Sequence, residues 1–357
     1  MSTDGNGGDW SGRTVLVTGH MGFKGAWLCL LLARAGADVT GFGLRDPDTR
    51  LLYDDAAVGD LIRSIEGDVR DVDAVAAAFS TCRPHTVFHL AAESLVRRSY
   101  ARPRATFETN VLGTANVLEA VRQSDETRAV VVVTTDKCYR NDGRQHGYRE
   151  DDPLGGSDPY SASKACAELV AGSYRSSFFA TDGPLLATAR SGNVIGGGDW
   201  SLDRLVPDAV RAWSAGQSLE IRSPQATRPW LHVLDSVAGY VRIAAGLAAG
   251  DRSIADAWNL GPDPAATATV EEVLGQLDGH LPGGIRWHVT ADPQPAEARL
   301  LQLDSSKAEA SLGWRPALPL ADAVAWTAAM YAAGHDGAGA RETALDQIAR
   351  HEAVVAC

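Results

Sequence analysis

The chain has 357 residues, of which 45% are hydrophobic, and its formal net charge is -12. These values are typical of a globular protein with a large core, and the acidic balance disfavours a general binding surface for nucleic acid or for an anionic membrane. The sequence contains no apolar run of about eighteen residues, so no membrane span is expected. The five cysteines show no CxxC spacing, which predicts no metal site and reduced thiols in the cytoplasm.

The polar, glycine-rich segment 1–12 lacks the apolar stretch of a signal peptide, and we predict a flexible tail there. Beyond it, short apolar runs alternate with helical patterns. Strands are predicted at 14–18, 38–44, 61–69, 86–90 and 129–135. The segments between them predict helices, of which 105–122 has the clearest apolar periodicity. This alternation predicts an α/β fold with a doubly wound parallel sheet of the Rossmann type.

The pattern changes after residue 190, where glycine, proline, arginine and tryptophan become frequent in segments predicted as ligand-binding loops. Further helices are predicted at 269–277, 319–331 and 341–357. We therefore predict two domains. A nucleotide-binding domain is assigned to 13–190 with a return segment at about 231–262, and a smaller C-terminal α/β substrate domain to 191–230 and 263–357.

Three glycines, Gly19, Gly22 and Gly25, follow the first predicted strand and begin the first predicted helix. Glycine lets the backbone turn tightly and approach a pyrophosphate, while the N-terminus of a helix supplies unpaired N–H groups. Because the strand, the glycines and the helix occur together, this segment predicts a dinucleotide site rather than a tight turn alone.

The end of the second predicted strand leaves the choice of cofactor open. A carboxylate at this point would bind the adenosine ribose of NAD, but the position falls near Gly43. Arg45, just beyond it, either contacts the 2′-phosphate of NADP or is a surface residue. Asp68, after the third predicted strand, either binds the edge of the adenine or caps the following helix.

Tyr160 and Lys164 form a YxxxK motif on a predicted helix, and this spacing places both side chains on one face. An ammonium beside a tyrosine favours the phenolate and lowers the pKa of the tyrosine. Such a tyrosine can take the proton from a sugar hydroxyl while a hydride leaves the same carbon. The glycines upstream and Thr135 at the end of an intervening strand make a chance match a poor explanation.

Seven segments of the sequence carry a specific resemblance to a known family. They are VTGHMGFKGAWLCLLL, FHLAAESLVRRSY, TTDKCYRN, YREDDPLGGSDPYSASKACAE, ARSGNVIGGGDWSLDRLVPD, RPWLHV and LGWRP. In these segments, from about residue 13 to 331, the chain resembles the extended short-chain dehydrogenase/reductases. Within that family it is similar to the nucleotide-sugar 4,6-dehydratases of the CDP-glucose type. TTDKCY and GNVIGGGDW are far more specific than the shared glycines.

The resemblance implies a lyase of deoxysugar biosynthesis that converts CDP-glucose to CDP-4-keto-6-deoxyglucose. Tyr160 would remove the proton of the hydroxyl on carbon 4 while NAD accepts the hydride, and Thr135 would bond to the same oxygen. Asp136 would protonate the departing hydroxyl of carbon 6. Lys137 would act as the base at carbon 5, directly or through a water, or would stabilise the enolate. The hydride then returns to carbon 6.

The resemblance also implies binding residues. The expected cofactor contacts beyond the three glycines are His20, Phe23, Lys24, Arg45, Asp68, Val69, Leu90, Ala91, Ala92, Asn110, Tyr160 and Lys164. The expected substrate contacts are Glu93, Ser94, Asn193, Arg204, Arg228, His232 and Glu297. Arg190, at the end of the strand-like LLATAR, is a further candidate, because arginine is suited to bidentate binding of phosphate.

Several alternatives stay open. Asp136 and Lys137 could form a surface ion pair, although neighbours in a strand point to opposite faces. Glu93 replaces the glutamine expected in the CDP-glucose type, so dTDP- or GDP-glucose stays open as the substrate. A nucleotide-sugar 4-epimerase would need no acid and base at positions 136 and 137, and a cofactor-sensing regulator would need no YxxxK motif. By analogy with related enzymes, the helical faces at 105–122 and 161–178 predict a homodimer or homotetramer.

Overall fold

A computed structural model of the chain describes residues 8–46, 49–144, 146–263, 266–290, 301–335 and 339–356. Its strands are β1 (Thr14–Thr18), β2 (Asp38–Gly43), β3 (Arg63–Glu66), β4 (Thr86–His89), β5 (Ala129–Val133), β6 (Leu185–Ser191), β7 (Asn193–Ile195), β8 (Ser218–Ile221), β9 (Thr227–His232), β10 (Ala257–Leu260), β11 (Thr267–Thr269) and β12 (Arg286–Val289). Its α-helices are α1 (Phe23–Arg34), α2 (Leu52–Asp55), α3 (Val72–Cys82), α4 (Val96–Ala101), α5 (Pro103–Phe107), α6 (Gly113–Arg122), α7 (Pro159–Ser177), α8 (Leu205–Ser214), α9 (Val233–Ala248), α10 (Val270–Asp278), α11 (Ser306–Leu312), α12 (Leu320–His335) and α13 (Ala340–Val355).

A seven-stranded sheet forms the centre of the described part of the chain, in the order β10-β6-β5-β4-β1-β2-β3. Every neighbouring pair runs parallel. All residues of β5, AVVVV, are buried because apolar side chains cover both faces of the sheet. Val131 and Val133 pack into one hydrophobic cluster, and Val130 and Val132 into another. The prediction of a doubly wound, Rossmann-type parallel sheet is confirmed.

Two smaller sheets, β11-β9-β7 and β12-β8, lie outside the central sheet. They share a separate hydrophobic cluster with α8, α10 and α12, which includes Val206, Trp230 and Leu274. The prediction of loops for this region is wrong in part, because Arg228 and His232 both lie in β9. Regular structure therefore fixes these residues more firmly than a loop would.

The predicted helix at 105–122 forms in three consecutive parts, α5, a π-helical turn at Glu108–Leu112, and α6. A π-helical turn inserts one residue into the helix and often marks a functional position. Here it directs Asn110 into the protein, where this residue is 1% exposed. The local geometry of the turn therefore decides where the Asn110 amide points.

The predicted flexible tail does not extend to residue 12. The side chain of Trp10 is 2% exposed and packs against Phe88, and the Gly12 N–H donates to the carbonyl of Gly36. Residues 1–7 lie outside the described residues. Apolar packing of one tryptophan thus anchors the chain before β1.

None of the helices in the described ranges combines the length and the apolarity needed to cross a membrane. These ranges also contain no group of three or more His, Cys, Asp or Glu side chains that could hold a metal ion. Cys29, Cys82, Cys138 and Cys166 are free thiols, and Cys357 lies outside the described residues.

Candidate active site

A cleft of about 1690 Å³ lies at the carboxyl ends of the central strands and extends to the smaller sheets. In parallel α/β sheets this edge is where nucleotides bind. The predicted site residues that line the cleft are Gly19, Gly22, Phe23, Lys24, Gly25, Arg45, Asp68, Val69, Leu90, Ala91, Ala92, Glu93, Ser94, Thr135, Asp136, Lys137, Tyr160, Lys164, Asn193, Arg204 and Arg228. His20, Asn110 and His232 are not part of this lining, and Glu297 lies outside the described residues.

The glycine loop between β1 and α1 has the shape of a phosphate cradle. Gly19 has φ +72, and a Cβ added there would lie 2.7 Å from the backbone nitrogen of Ala91. A Cβ at Gly25 would overlap the carbonyl oxygen of Gly19. Gly22 is the N-cap of α1 and has no side chain to cover the first N–H groups of the helix. The path therefore requires glycine at positions 19 and 25, and the loop suits the pyrophosphate of a dinucleotide.

Arg45 and Asp68, two of the predicted cofactor contacts, each form an ion pair with a nearby residue. Both terminal nitrogens of Arg45 donate to Asp54, at 2.6 and 2.9 Å. Asp68 accepts from the guanidinium and the backbone N–H of Arg70. The helix-cap interpretation of Asp68 is wrong, because Asp71 caps α3 by accepting from the backbone.

The prediction that the His20 side chain contacts a cofactor is wrong. This side chain is buried, its Nε2 lies 2.7 Å from the hydroxyl of Ser64, and it fills the space above Gly41. Burial lowers the pKa of His20 to about 4, so the ring is neutral near pH 7. His20 therefore packs the loop onto β2 instead of facing the cleft.

Asn110 supports the cleft from behind. Its Oδ1 accepts from the backbone N–H of Glu93 (2.8 Å), and its Nδ2 donates to the Glu93 carbonyl (3.0 Å) and to the hydroxyl of Ser163 (2.8 Å). All its amide groups are thereby engaged with the protein. The predicted direct contact with a cofactor is replaced by a role in orienting Glu93.

His232 and Arg190 are also wrong as ligand contacts. His232 is fully buried between Trp27 and Trp326, and its Nδ1 accepts from the Leu234 N–H to cap α9. Arg190 lies beneath the cleft, 3% exposed, in an ion pair with Glu168. A sequence pattern cannot distinguish such buried partners from cleft-facing ones, because the direction of the side chain depends on the tertiary fold.

The segment after β5 supplies the centre of the cleft. The Thr135 hydroxyl donates to Asp136 Oδ1 at 2.9 Å, and Lys137 Nζ donates to the same oxygen at 3.1 Å. Asp136 is 1% exposed, and its Oδ2 is buried without a partner among the described residues. The alternative of a surface ion pair is wrong, since the pair lies inside the cleft. Adjacent residues meet because 136–138 form a 3₁₀ turn, not a strand.

Tyr160 and Lys164 lie on α7 as predicted, and both side chains are buried. Burial raises the pKa of Tyr160, while Lys137 and a hydrogen bond with Thr135 oppose this rise. Burial and nearby Lys24 lower the pKa of Lys164 to about 8, and its Nζ donates to the Val133 carbonyl (3.0 Å). Lys137, followed by Arg204, is thus the cation that most opposes the rise in the pKa of Tyr160, and the predicted effect of Lys164 on the phenolate stays a prediction.

Lys137 remains a cation in the cleft. Its enclosed position opposes the charge, but Asp136 and Tyr160 together raise the pKa of Lys137 above its usual value. A lysine acts as a direct base only when its pKa falls. The geometry therefore favours Lys137 as an electrostatic partner of Tyr160 and of a developing enolate over direct proton abstraction.

Replacing Lys137 should shift the pH dependence of the first oxidation. Lys137→Met removes a cation that opposes the rise in the pKa of Tyr160, so the increase of the oxidation rate with pH should move to higher pH. Single-turnover formation of enzyme-bound NADH across a pH series measures this. Arg97→Met is the control, because this rim arginine pairs with Asp203. An unchanged profile for Lys137→Met would contradict its coupling to Tyr160.

Sequence reasoning missed Arg98. Its Nε lies 3.1 Å from Glu93 Oε2, and its Nη1 donates to Asp46 at 3.0 Å. Arg98 thereby connects the loop after β2 with the part of the cleft expected to hold the sugar. The segment LVRRSY contains no spacing that would distinguish Arg98 from the adjacent Arg97.

Comparisons with known proteins show the family of the chain. The family described as GDP-mannose 4,6 dehydratase matches residues 16–327. A CDP-glucose 4,6-dehydratase from Salmonella typhimurium is 44% identical over 312 residues, which cover 86% of this chain and 87% of that protein. A dTDP-glucose 4,6-dehydratase from Streptomyces venezuelae, solved with NAD and TYD bound, has a TM-score of 0.74 at 28% identity and covers 88% of this chain and 95% of its own.

A UDP-glucose 4-epimerase from Brucella ovis, solved in complex with NAD, has a TM-score of 0.76, covering 90% of this chain and 98% of its own. At 22% identity this likeness concerns the fold alone. The predicted resemblance to nucleotide-sugar 4,6-dehydratases of the extended short-chain dehydrogenase/reductase type is confirmed, as is the prediction of an enzyme. Because the family match spans most of its length, the chain belongs to the GDP-mannose 4,6-dehydratase family.

Proposed function

We propose that the protein converts CDP-glucose to CDP-4-keto-6-deoxyglucose, with NAD as a resident cofactor. The observation that carries this proposal is the contact of Thr135, Asp136 and Lys137 with one another at the carboxyl end of β5, beside Tyr160. Oxidation at carbon 4 alone would require only the tyrosine and threonine. A carboxyl and an ammonium at the same place supply what elimination of water additionally needs.

NAD, when bound, supplies a nicotinamide that accepts a hydride and later gives it back. The glycine loop at 19–25 and the segment 90–92 would hold its phosphates and ribose. The NADP alternative is disfavoured, because a 2′-phosphate would have to displace Asp54 from Arg45. Lys24 and Lys164 lie in the same part of the cleft.

The chain's own groups act in sequence on the sugar. Tyr160 takes the proton of the hydroxyl on carbon 4, and Thr135 bonds to the same oxygen. The resulting ketone acidifies the proton on carbon 5, which a water held by Lys137 takes up, and the Lys137 ammonium stabilises the negative charge that develops. Asp136, once protonated on Oδ2, gives this proton to the leaving hydroxyl of carbon 6; Oδ2 has no partner among the described residues and so is open to the sugar. After water has left and the hydride has returned to carbon 6, the same water returns a proton to carbon 5.

The diphosphate and nucleoside would lie toward the smaller sheets. Arg204 precedes α8 and bonds to Asp199 at 2.9 Å, whereas Asn193 in β7 and Arg228 in β9 line the same side of the cleft. Arginine and asparagine side chains suit the oxygens of a diphosphate. We keep Glu297 as a proposed nucleoside contact on the resemblance alone.

Purified protein should be assayed with CDP-, dTDP-, GDP- and UDP-glucose at equal concentration. We expect a 4-keto product from CDP-glucose with kcat/KM at least about tenfold above the others and no net accumulation of NADH. A preference for dTDP-glucose would favour the second candidate function, a dTDP-glucose 4,6-dehydratase, which Glu93 in the cleft supports. The absence of a 4-keto product from every substrate would refute the dehydratase.

The proposal includes the predicted domain division, a cytoplasmic location and a homodimer or homotetramer. The separate hydrophobic cluster of the smaller sheets supports the division. Leu112, beside α6, and Leu169, on α7, are 57% and 62% exposed, and such apolar residues on neighbouring helices support self-association.

Replacing Leu112 and Leu169 together by aspartate should reduce the molar mass in light scattering to that of one chain, because charges would enter an apolar interface. Val354→Asp, at a comparably exposed position on α13, should leave the mass unchanged. A wild-type protein that is already monomeric at assay concentration would contradict the oligomer.

A further inference from the structure

An ion pair between Glu168 and Arg190 lies directly beneath the catalytic segment. Glu168 Oε2 and Arg190 Nη2 are 2.8 Å apart, and the two side chains are only 3% and 4% exposed. Neither residue lines the cleft formed by the described residues. A buried pair of this kind contributes little net stability, so its presence calls for another explanation.

Glu168 lies on the helix that carries Tyr160 and Lys164. The spacing of four and eight residues along α7 places all three side chains on one buried face. The other oxygen of Glu168, Oε1, accepts from the hydroxyl of Thr134, the residue directly before Thr135. Glu168 therefore connects the tyrosine helix to the start of the catalytic segment.

Arg190 holds the other end of that segment. Its Nη1 donates to the hydroxyl of Tyr139, and its guanidinium lies 4.9 Å from the centre of the Tyr139 ring. The same nitrogen donates to the carbonyl of Glu150 at 3.0 Å, and Tyr139 in turn donates to Asn259 at 2.7 Å. The pair thus contacts Thr134 and Tyr139, which flank Thr135, Asp136 and Lys137.

We infer that Glu168 and Arg190 are positioning residues, which hold the segment 134–139 at both ends and fix Asp136 and Lys137 relative to Tyr160. The 3₁₀ turn at 136–138 is short and has few bonds of its own, so its place depends on these two anchors. Glu168 also accepts from Thr188 (2.8 Å), which fixes the carboxylate itself on β6. A shift of about 1 Å at such a segment reduces the rate about a hundredfold.

The test, which rests on the proposed dehydratase activity, compares Thr134→Val with Thr134→Ser. Both variants keep the ion pair, but only serine keeps the hydroxyl that bonds to Glu168. We expect Thr134→Val to lower kcat at least about tenfold with KM nearly unchanged, and Thr134→Ser to retain most of the wild-type kcat. During turnover, Thr134→Val should also hold a larger share of enzyme-bound NADH, because elimination slows more than oxidation.

A second variant, Glu168→Leu with Arg190→Met, removes both charges together, which avoids an unpaired buried charge. If it folds, it should show the same loss in kcat and the same excess of bound NADH. If it does not fold, the comparison of Thr134→Val with Thr134→Ser tests the inference by itself. The control is His351→Leu, which removes the equally buried His351–Asp235 contact (2.8 Å) away from the segment and should lower thermal stability without changing kcat.

The inference is overturned if Thr134→Val keeps the wild-type kcat and the wild-type level of bound NADH. A drop in kcat that only follows the folded fraction, as measured by thermal unfolding, also overturns it. Failure of the wild type to dehydrate any nucleotide-linked glucose would instead refute the proposed function, so the two failures can be told apart.

Discussion

Tyr160→Phe should reduce the formation of the 4-keto product about a thousandfold, and the enzyme should form no enzyme-bound NADH with CDP-glucose. The tyrosine hydroxyl takes the proton from carbon 4, and without it the hydride cannot leave that carbon. Tyr160 is buried, and its charged form depends on Lys137 and Thr135. Phenylalanine keeps the ring and removes only the hydroxyl, so the fold should stay intact.

The measurement is a single-turnover experiment that follows NADH absorbance and product together. Tyr174→Phe is a matched control, because Tyr174 lies on the same helix and bonds to Glu119 (3.4 Å) outside the cleft. This control should keep full activity. Normal oxidation by Tyr160→Phe would refute the role of the tyrosine as base at carbon 4.

Asp136→Asn should separate the two halves of the reaction. Oxidation at carbon 4 needs Tyr160 and Thr135, which remain, so enzyme-bound NADH should form and persist. Product formation should fall by a factor of about a hundred to ten thousand, because an amide cannot give its proton to the leaving hydroxyl. Asparagine keeps the size of the side chain and an oxygen for the Thr135 hydroxyl.

Stopped-flow absorbance and quenched product analysis check this prediction together. Asp142→Asn changes a carboxylate on the following loop, which bonds to Arg144 and Tyr148 and lies outside the cleft lining. This control variant should slow neither the oxidation at carbon 4 nor the elimination of water. Full turnover by Asp136→Asn would mean that another group supplies the proton.

The main elements of the fold could be predicted from the sequence, because β-branched runs such as 14–18 and 129–133 are buried on both faces and alternate with helices. The positions of residues in motifs that lie within one turn or helix could also be predicted. The glycines at 19, 22 and 25 and the pair Tyr160 and Lys164 lie where local spacing placed them, since a turn and a helix fix their geometry over a few residues.

Contacts between distant elements could not be predicted in this way. His232 and Arg190 looked like ligand contacts, but the first caps α9 and the second pairs with Glu168, 22 residues away in sequence. Strand alternation predicts that Asp136 and Lys137 point to opposite faces, but this rule does not apply to them because the strand ends at Val133. Such errors concern the direction of side chains, which tertiary packing decides.

The most direct measurement uses CDP-glucose that carries deuterium on carbon 4. The enzyme should return the label to carbon 6 of the same sugar, with one deuterium per product molecule and no label in added NAD. Mass spectrometry and NMR of the product report both quantities. Loss of the deuterium to free cofactor, or a product without label on carbon 6, would contradict internal return of the hydride.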